Sequence, residues 1–134
     1  MKKMATDNYV QVTHNVRVSV FPQFSVEHSN VDMGTFVYLY TITITNESEE
    51  ILQLLSRHWI ITDGLGNEEQ VIGEGVVGQK PVLNPGGSFS YTSSCPLKTP
   101  SGSMKGRYQL KSSTTEIFDV QIPEFYLRDS RLLN

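Results

Sequence analysis

One cysteine, Cys95, stands alone among 134 residues, which excludes an internal disulfide framework and any zinc or iron–sulfur site built on several thiolates. Basic residues are in slight deficit, with 11 Lys+Arg against 14 Asp+Glu for a net charge of −3. Neutralising a phosphate backbone needs a surplus of Lys and Arg, so neither DNA nor RNA is expected as a partner. No apolar run approaches the ~20 residues of a membrane span. The lysines of Met1-Lys2-Lys3 precede no hydrophobic stretch of the kind a secretory signal carries. The expectation is a cytoplasmic protein of a reducing compartment, with no membrane insertion. Helix signals are scarce as well. A chain of this size reads as one domain, able to bury roughly 68% of its surface without staples.

What is present is period two. Val10, Val12, Val16, Val18 and Val20 share one parity against Gln11, Thr13, Arg17 and Ser19, the pattern of a half-buried strand. His14 falls on the valine parity, so a buried, satisfied histidine is expected there. Over 36–45, Phe36, Tyr38, Tyr40, Ile42 and Ile44 face one way and Thr41, Thr43 and Thr45 the other. The stretch 51–62 keeps neither period cleanly; a long strand with a bulge fits best, closed by the Asp63-Gly64 turn, with Trp59 packed between sheets. Further strands are expected over 89–93, 104–111 and 116–122, with Pro123 ending the last because it has no N–H for a ladder. Phe125, Tyr126 and Leu127 then follow that strand and, with Val76 and Val77, either cap the core or form an apolar docking patch. Turn chemistry separates these runs, as in Asn84-Pro85-Gly86-Gly87 and Thr99-Pro100-Ser101-Gly102. Short strands punctuated in this way predict an all-β fold, a single antiparallel β-sandwich over 9–127. A flexible N-terminal tail (1–8) and a C-terminal tail (128–134) flank it.

Gly73-Glu74-Gly75-Val76-Val77-Gly78 has the spacing of a dinucleotide-binding fingerprint, in which glycines let a strand hand over to a helix whose N-terminus receives pyrophosphate. The context differs here. Pro81 and Pro85 follow closely, and proline inside a helix costs about 3 kcal/mol. Glu74 also places an anion where phosphate would sit. The stretch therefore reads as a loop that needs positive φ or close backbone approach. The alternative is a phosphate- or pyrophosphate-containing ligand held by the backbone of Gly73, Gly75, Val76, Val77 and Gly78, aided by Lys80. No cofactor is implied.

Charge is unevenly spread. Between 63 and 74 stand Asp63, Glu68, Glu69 and Glu74 with no base, and between 98 and 111 stand Lys98, Lys105, Arg107 and Lys111 with no acid. Solvated faces explain both, while the acidic set offers oxygen ligands to a hard divalent cation. His14, His28 and His58 show no metal-pair spacing. Cys95, followed by Pro96, has no helix N-terminus to activate it. No catalytic set is assembled, and no enzyme is expected.

The longest pattern runs from Arg57 to Tyr108: Arg57-His58-Trp59-Ile60-Ile61-Thr62-Asp63-Gly64, Gly66, then 71–78, Pro81-Val82-Leu83-Asn84-Pro85-Gly86, Phe89-Ser90-Tyr91-Thr92-Ser93, Leu97, Thr99, Gly102-Ser103-Met104 and Gly106-Arg107-Tyr108. It resembles the bacterial ApaG family, and with the strands near 41–46 and 118–123 the likeness covers nearly all of 9–127. Ser94 and Leu110 depart from the family pattern, which has glycine and methionine there. The resemblance implies a fibronectin type III/immunoglobulin-like sandwich and an association with cobalt resistance and magnesium (Co²⁺/Mg²⁺) efflux. It implies a non-enzymatic protein-interaction module, since related domains sit in eukaryotic F-box and polymerase-interacting proteins. An unidentified protein partner is thus expected, with docking centred on 73–78, and exposed sandwich edges add a weak homodimer through an edge strand.

Overall fold

The computed structural model describes residues 9–132, apart from the side chain of Ser130. The expected tail over 1–8, and positions 133 and 134 of the other, lie outside the described residues. The strands are β1 (Tyr9–Thr13), β2 (Val16–Phe24), β3 (Phe36–Asn46), β4 (Leu52–Asp63), β5 (Glu68–Glu74), β6 (Val82–Leu83), β7 (Ser88–Leu97), β8 (Gly102–Ser112) and β9 (Ile117–Leu127). Two single 3-10 turns, Val31–Met33 and Ser130–Leu132, are the helical elements among the described residues. Among the described residues no helix is long and apolar enough to cross a membrane. One sheet has the order β1-β2-β3-β7 and the other β5-β4-β8-β9, with β6 also on β4, and every pairing is antiparallel. The expected antiparallel sandwich is the observed fold.

The valine run is two strands, not one. His14 and Asn15 both adopt positive φ (51° and 62°), the two-residue turn whose twist suits a hairpin. Thr13 then opposes Val16, and Val10 and Val12 oppose Ser19 and Arg17. Even positions of β1 therefore share the outer face with odd positions of β2. Val10 and Val12 are 46% and 47% exposed, whereas Val16, Val18 and Val20 are fully buried. His14 sits exposed at the turn, its ring edge-on to Phe118 at 5.3 Å, instead of in the core.

Pro123 does not end the last strand. Met104 opposes Phe125 while Gly106 opposes Ile122, so Pro123 and Glu124 bulge opposite Lys105 on an edge strand, where a missing N–H is tolerated. The shift returns Phe125 and Leu127 to the interior, both fully buried, and leaves Tyr126 half-exposed beneath Arg128. In β4 the expected bulge is present at Leu55: Leu54 opposes Leu110 and Ser56 opposes Gln109. Trp59 points inward, edge-on to Tyr40 (5.4 Å) and Phe125 (6.0 Å).

Hydroxyls tie the layers. Tyr91 of β7 and Tyr108 of β8 meet across the core at 2.6 Å. On the outer face of β3 and β7, Thr41–Thr92, Thr43–Ser90 and Thr45–Ser88 form successive rungs at 2.8, 2.7 and 3.0 Å.

Burial pushes the Tyr40, Tyr91 and Tyr108 phenols above their ordinary value of 10 and, with the Asp129 charge, pushes Tyr38 up to about 12. A folded state that holds these protons more tightly than the unfolded chain is favoured fully below the unfolded value and loses that advantage as pH rises through the folded ones. Stability should therefore fall progressively above about pH 10. Melts followed by tyrosinate absorbance should show ionisation and unfolding together; phenols that titrate freely in an intact fold would refute this.

Candidate functional site

β4 is shared by two short partners. Its positions 56–62 pair with β5 and its positions 52–53 with β6, so the chain must leave the sheet and return opposite the Leu55 bulge. Gly75 N–H donates to the Leu55 carbonyl (2.8 Å), and Leu54 N–H donates to the Pro81 carbonyl (3.0 Å). Between them, Val76 N–H donates to Gln79 O and Gln79 N–H to Val76 O, each at 2.8 Å. The residues inside that turn, Val77 and Gly78, have φ of 41° and 80°, as a type I′ turn demands. Val76 is fully buried, while Val77 projects with 53% of its surface exposed.

Arg57 holds this segment. It lies on the same parity of β4 as Trp59, and its Nη1 donates to the carbonyls of Glu74 and Gly75, both at 2.9 Å. The guanidinium lies flat against Gly73, where an added Cβ would sit 2.8 Å from Nη1 and 2.9 Å from Cζ and Nη2. Gly75 has φ +61°, and a Cβ on it would run into the Gln79 carbonyl. Gly73 thus leaves room for a cation, Gly75 permits a left-handed backbone at close approach, and Gly78 completes the turn. The loop expected from positive φ and close approach is present, and β5 precedes it as a strand that sequence alone did not reveal.

The same geometry occupies several of the groups a phosphate would use. The Gly75 and Val76 amides are bonded within the protein, and Lys80 Nζ pairs with Glu74 Oε1 at 2.6 Å, holding that carboxyl below its usual range. The four acids are not brought together either. Glu68 and Glu74 mark opposite ends of β5, about 20 Å apart at ~3.3 Å per residue. Asp63 accepts from Leu65 N–H and Asn67 N–H (2.9 Å each) and from the Asn67 amide (3.0 Å), which lowers its pKa. Among the described residues no three His, Cys, Asp or Glu side chains lie together as metal ligands.

The other candidates are dispersed. His28 Nδ1 lies 2.7 Å from Ser25 Oγ in the β2–β3 connection, and His58 Nε2 lies 2.9 Å from Gln70 Oε1 on the outer face of the β4 sheet. Cys95 is buried, and burial, with the Glu69 charge second, pushes its thiol up to about 11. Ser94 lies within β7 and has no positive φ, so the departure from glycine there strains nothing. Arg57 was visible in the sequence only as part of a longer string. Its signal is an arginine at an inward strand position within reach of a glycine-rich stretch.

With this geometry in place, the comparisons with known proteins are consistent. The family model described as "DUF525: ApaG domain" matches residues 26–112. The chain is 50% identical over 119 residues to "Protein ApaG" of Bradyrhizobium sp. (strain ORS 278), covering 89% of this chain and 92% of that one. It is 44% identical to "Protein ApaG" of Caulobacter vibrioides, covering 89% and 85%. A crystal structure from Bordetella pertussis of a protein designated ApaA superposes with a TM-score of 0.84 at 46% identity, covering 87% of this chain and 94% of that one.

Gly73→Ala should displace the guanidinium and weaken both of its bonds, costing about 1–3 kcal/mol, as for hydrogen bonds to a charged group. Arg57→Lys should cost about as much, because an ammonium cannot lie flat and reach both carbonyls. Urea unfolding measures both; wild-type midpoints in either variant would remove Arg57 from its anchoring role.

Proposed function

The chain belongs to the ApaG domain family, and from that premise we propose that it is a non-enzymatic protein-interaction module that docks through the turn around Val77. The observation that carries this reading is the state of Val77 itself. A β-branched residue in the left-handed region is strained by about 1–3 kcal/mol, and this one, at φ 41°, spends the strain on presenting an apolar side chain to solvent. Asparagine or glycine would make the same turn without strain. A rigid tip that keeps valine is better suited to contact than to stability. Val76 buried behind it and Arg57 beneath it hold the tip in one conformation, which lowers the entropy lost on docking.

The dispersed histidines, the buried Cys95 thiol and the separated carboxylates support a role without catalysis. They also direct the association with Co²⁺ and Mg²⁺ efflux towards a partner that handles the metal, in preference to chelation by Asp63, Glu68, Glu69 and Glu74.

Val77→Asn separates stability from function. The variant should be more stable by about 1 kcal/mol through relief of strain, and affinity capture from native lysate should lose its specific partner by about tenfold or more. Equal recovery of every captured protein by wild type and variant would rule out docking through this turn.

A further inference from the structure

Sheet edges carry backbone groups without partners, and natural sheets guard them with charge, proline, bulges or a covering element. The four edges here are unequally guarded. β1 and β9 cover each other, since β9 packs beside β1 and β2 and Gln121 N–H donates to Thr13 Oγ1 at 3.3 Å. β5 carries Glu68, Glu69 and Glu74. From Ser88 to Cys95, β7 has no charge, no proline and no break in its register against β3.

Which groups are free follows from antiparallel alternation. Asn46 N–H donates to Gly87 O (2.9 Å) on the β7 side, and Ser25 N–H donates to Val37 O (2.8 Å) on the β2 side. Even-numbered residues of β3 thus turn their backbone towards β7. Through the register Ile44–Phe89, Ile42–Tyr91, Tyr40–Ser93 and Tyr38–Cys95, the ladder uses the N–H and C=O groups of Phe89, Tyr91, Ser93 and Cys95. Those of Ser88, Ser90, Thr92 and Ser94 face the open side, and all four residues are exposed. Pro96, with no N–H, ends the row.

A groove of about 250 Å³ lies at that end, between Pro96, Leu97 and Lys98 on one wall and Ile61, Glu68 and Glu69 on the other. Asp63 also borders it, but its carboxylate is taken by Leu65 and Asn67. Glu69, opposite the core-packed Ile61, faces inward, and Glu68 stands at the rim; set against Lys98, the two leave the groove net acidic, which suits a cation.

We propose that the open edge of β7 receives an extended segment of a partner protein, added as a further strand, with a lysine or arginine of that segment entering the groove at Glu68 and Glu69. The proposal rests on the interaction-module reading and names the chemistry of the partner. Backbone hydrogen bonds supply affinity, and the basic residue sets register. A second copy of this chain fits less well, because 88–97 contains no basic residue to offer the groove.

The probe is a capped peptide of about eight residues, alternating threonine and valine, with one lysine near an end. Its controls are the same peptide N-methylated at alternate amides and the same peptide with glutamate for lysine. With the lysine peptide, hydrogen exchange at the Ser90, Thr92 and Ser94 amides should slow by about tenfold or more, and the glutamate peptide should bind about tenfold more weakly. Thr92→Pro removes an N–H the fold does not use, which an edge strand tolerates, and should abolish peptide binding. Should that variant unfold, the double variant Glu68→Lys/Glu69→Lys carries the test by reversing the preference between the two peptides. Unslowed exchange at millimolar peptide, or equal binding of the N-methylated peptide, would overturn the proposal. So would a dimer in sedimentation that Thr92→Pro abolishes, since a second copy would then hold the edge. Val77→Asn should leave peptide binding unchanged, so failure at β7 and failure at the turn are read separately.

Discussion

The guanidinium of Arg57 lies flat on Gly73 while one of its nitrogens holds the carbonyls of Glu74 and Gly75. That contact decides how the chain crosses from β5 to β6. At the Leu55 bulge, β4 has no regular partner, and the backbone groups exposed there must be satisfied locally. Gly75 and Pro81 supply the backbone bonds, and Arg57 supplies the charge that gathers the two carbonyls. Only a planar cation can stack on a bare Cα and donate sideways at once. Val76 is thereby fixed inward, closing this flank of the core. The same charge eases the ionisation of the Tyr40, Tyr91 and Tyr108 phenols, but burial outweighs it in each case.

The glycine string at 73, 75 and 78 therefore has three separate causes, each internal to the fold. In a dinucleotide fold the same spacing serves a tight turn, close approach of pyrophosphate and helix–strand packing. Here Gly73 makes room for a side chain of its own protein, Gly75 for a carbonyl of its own backbone, and Gly78 supplies positive φ in a two-residue turn. The sequence distance between glycines is shared by both solutions; the element that follows is not. Pro81 leads into a two-residue strand, β6, where a helix would have been required.

Legibility followed periodicity. The alternation in 36–45 was unambiguous, and β3 is its direct consequence. The valine alternation before it was equally clean and yet misleading, because a two-residue turn at His14-Asn15 preserves parity along the chain while reversing which face that parity meets. Only the tolerance of histidine and asparagine for positive φ hinted at the break. Pro123 misled for a related reason: a bulge on an edge strand absorbs a proline that a central strand would reject. β5 was obscured by its composition, since Glu68-Glu69-Gln70 reads as a solvated loop until its place at the edge of a sheet is known. At the candidate site the glycines were visible and their purpose was not. Arg57 reaches them from about 16 positions earlier, across a pairing that local patterns do not encode.

Among the described residues two β-branched ones, Val77 and Thr115, adopt the left-handed region, and the contrast between them bears on what the molecule presents to its surroundings. Thr115, at φ 65°, closes a turn in which it donates its N–H to Ser112 O. There, Ser112 Oγ accepts from Thr114 N–H and Glu116 N–H and meets the Thr114 hydroxyl. The strain at Thr115 is offset by polar bonds that only this turn shape allows. Val77 has no polar group to be satisfied by its conformation, and its side chain is more than half exposed. Its conformation does close the two Val76–Gln79 backbone bonds, but glycine or asparagine would close them as well, so the valine side chain itself gains nothing inside the domain. The bare edge of β7 poses the same question in backbone terms: its unpaired N–H and C=O groups are a liability in a free monomer and an advantage only in a complex. Two features of different chemistry, a strained apolar tip and an unguarded ladder, are thus the groups that the proposed docking would favour most.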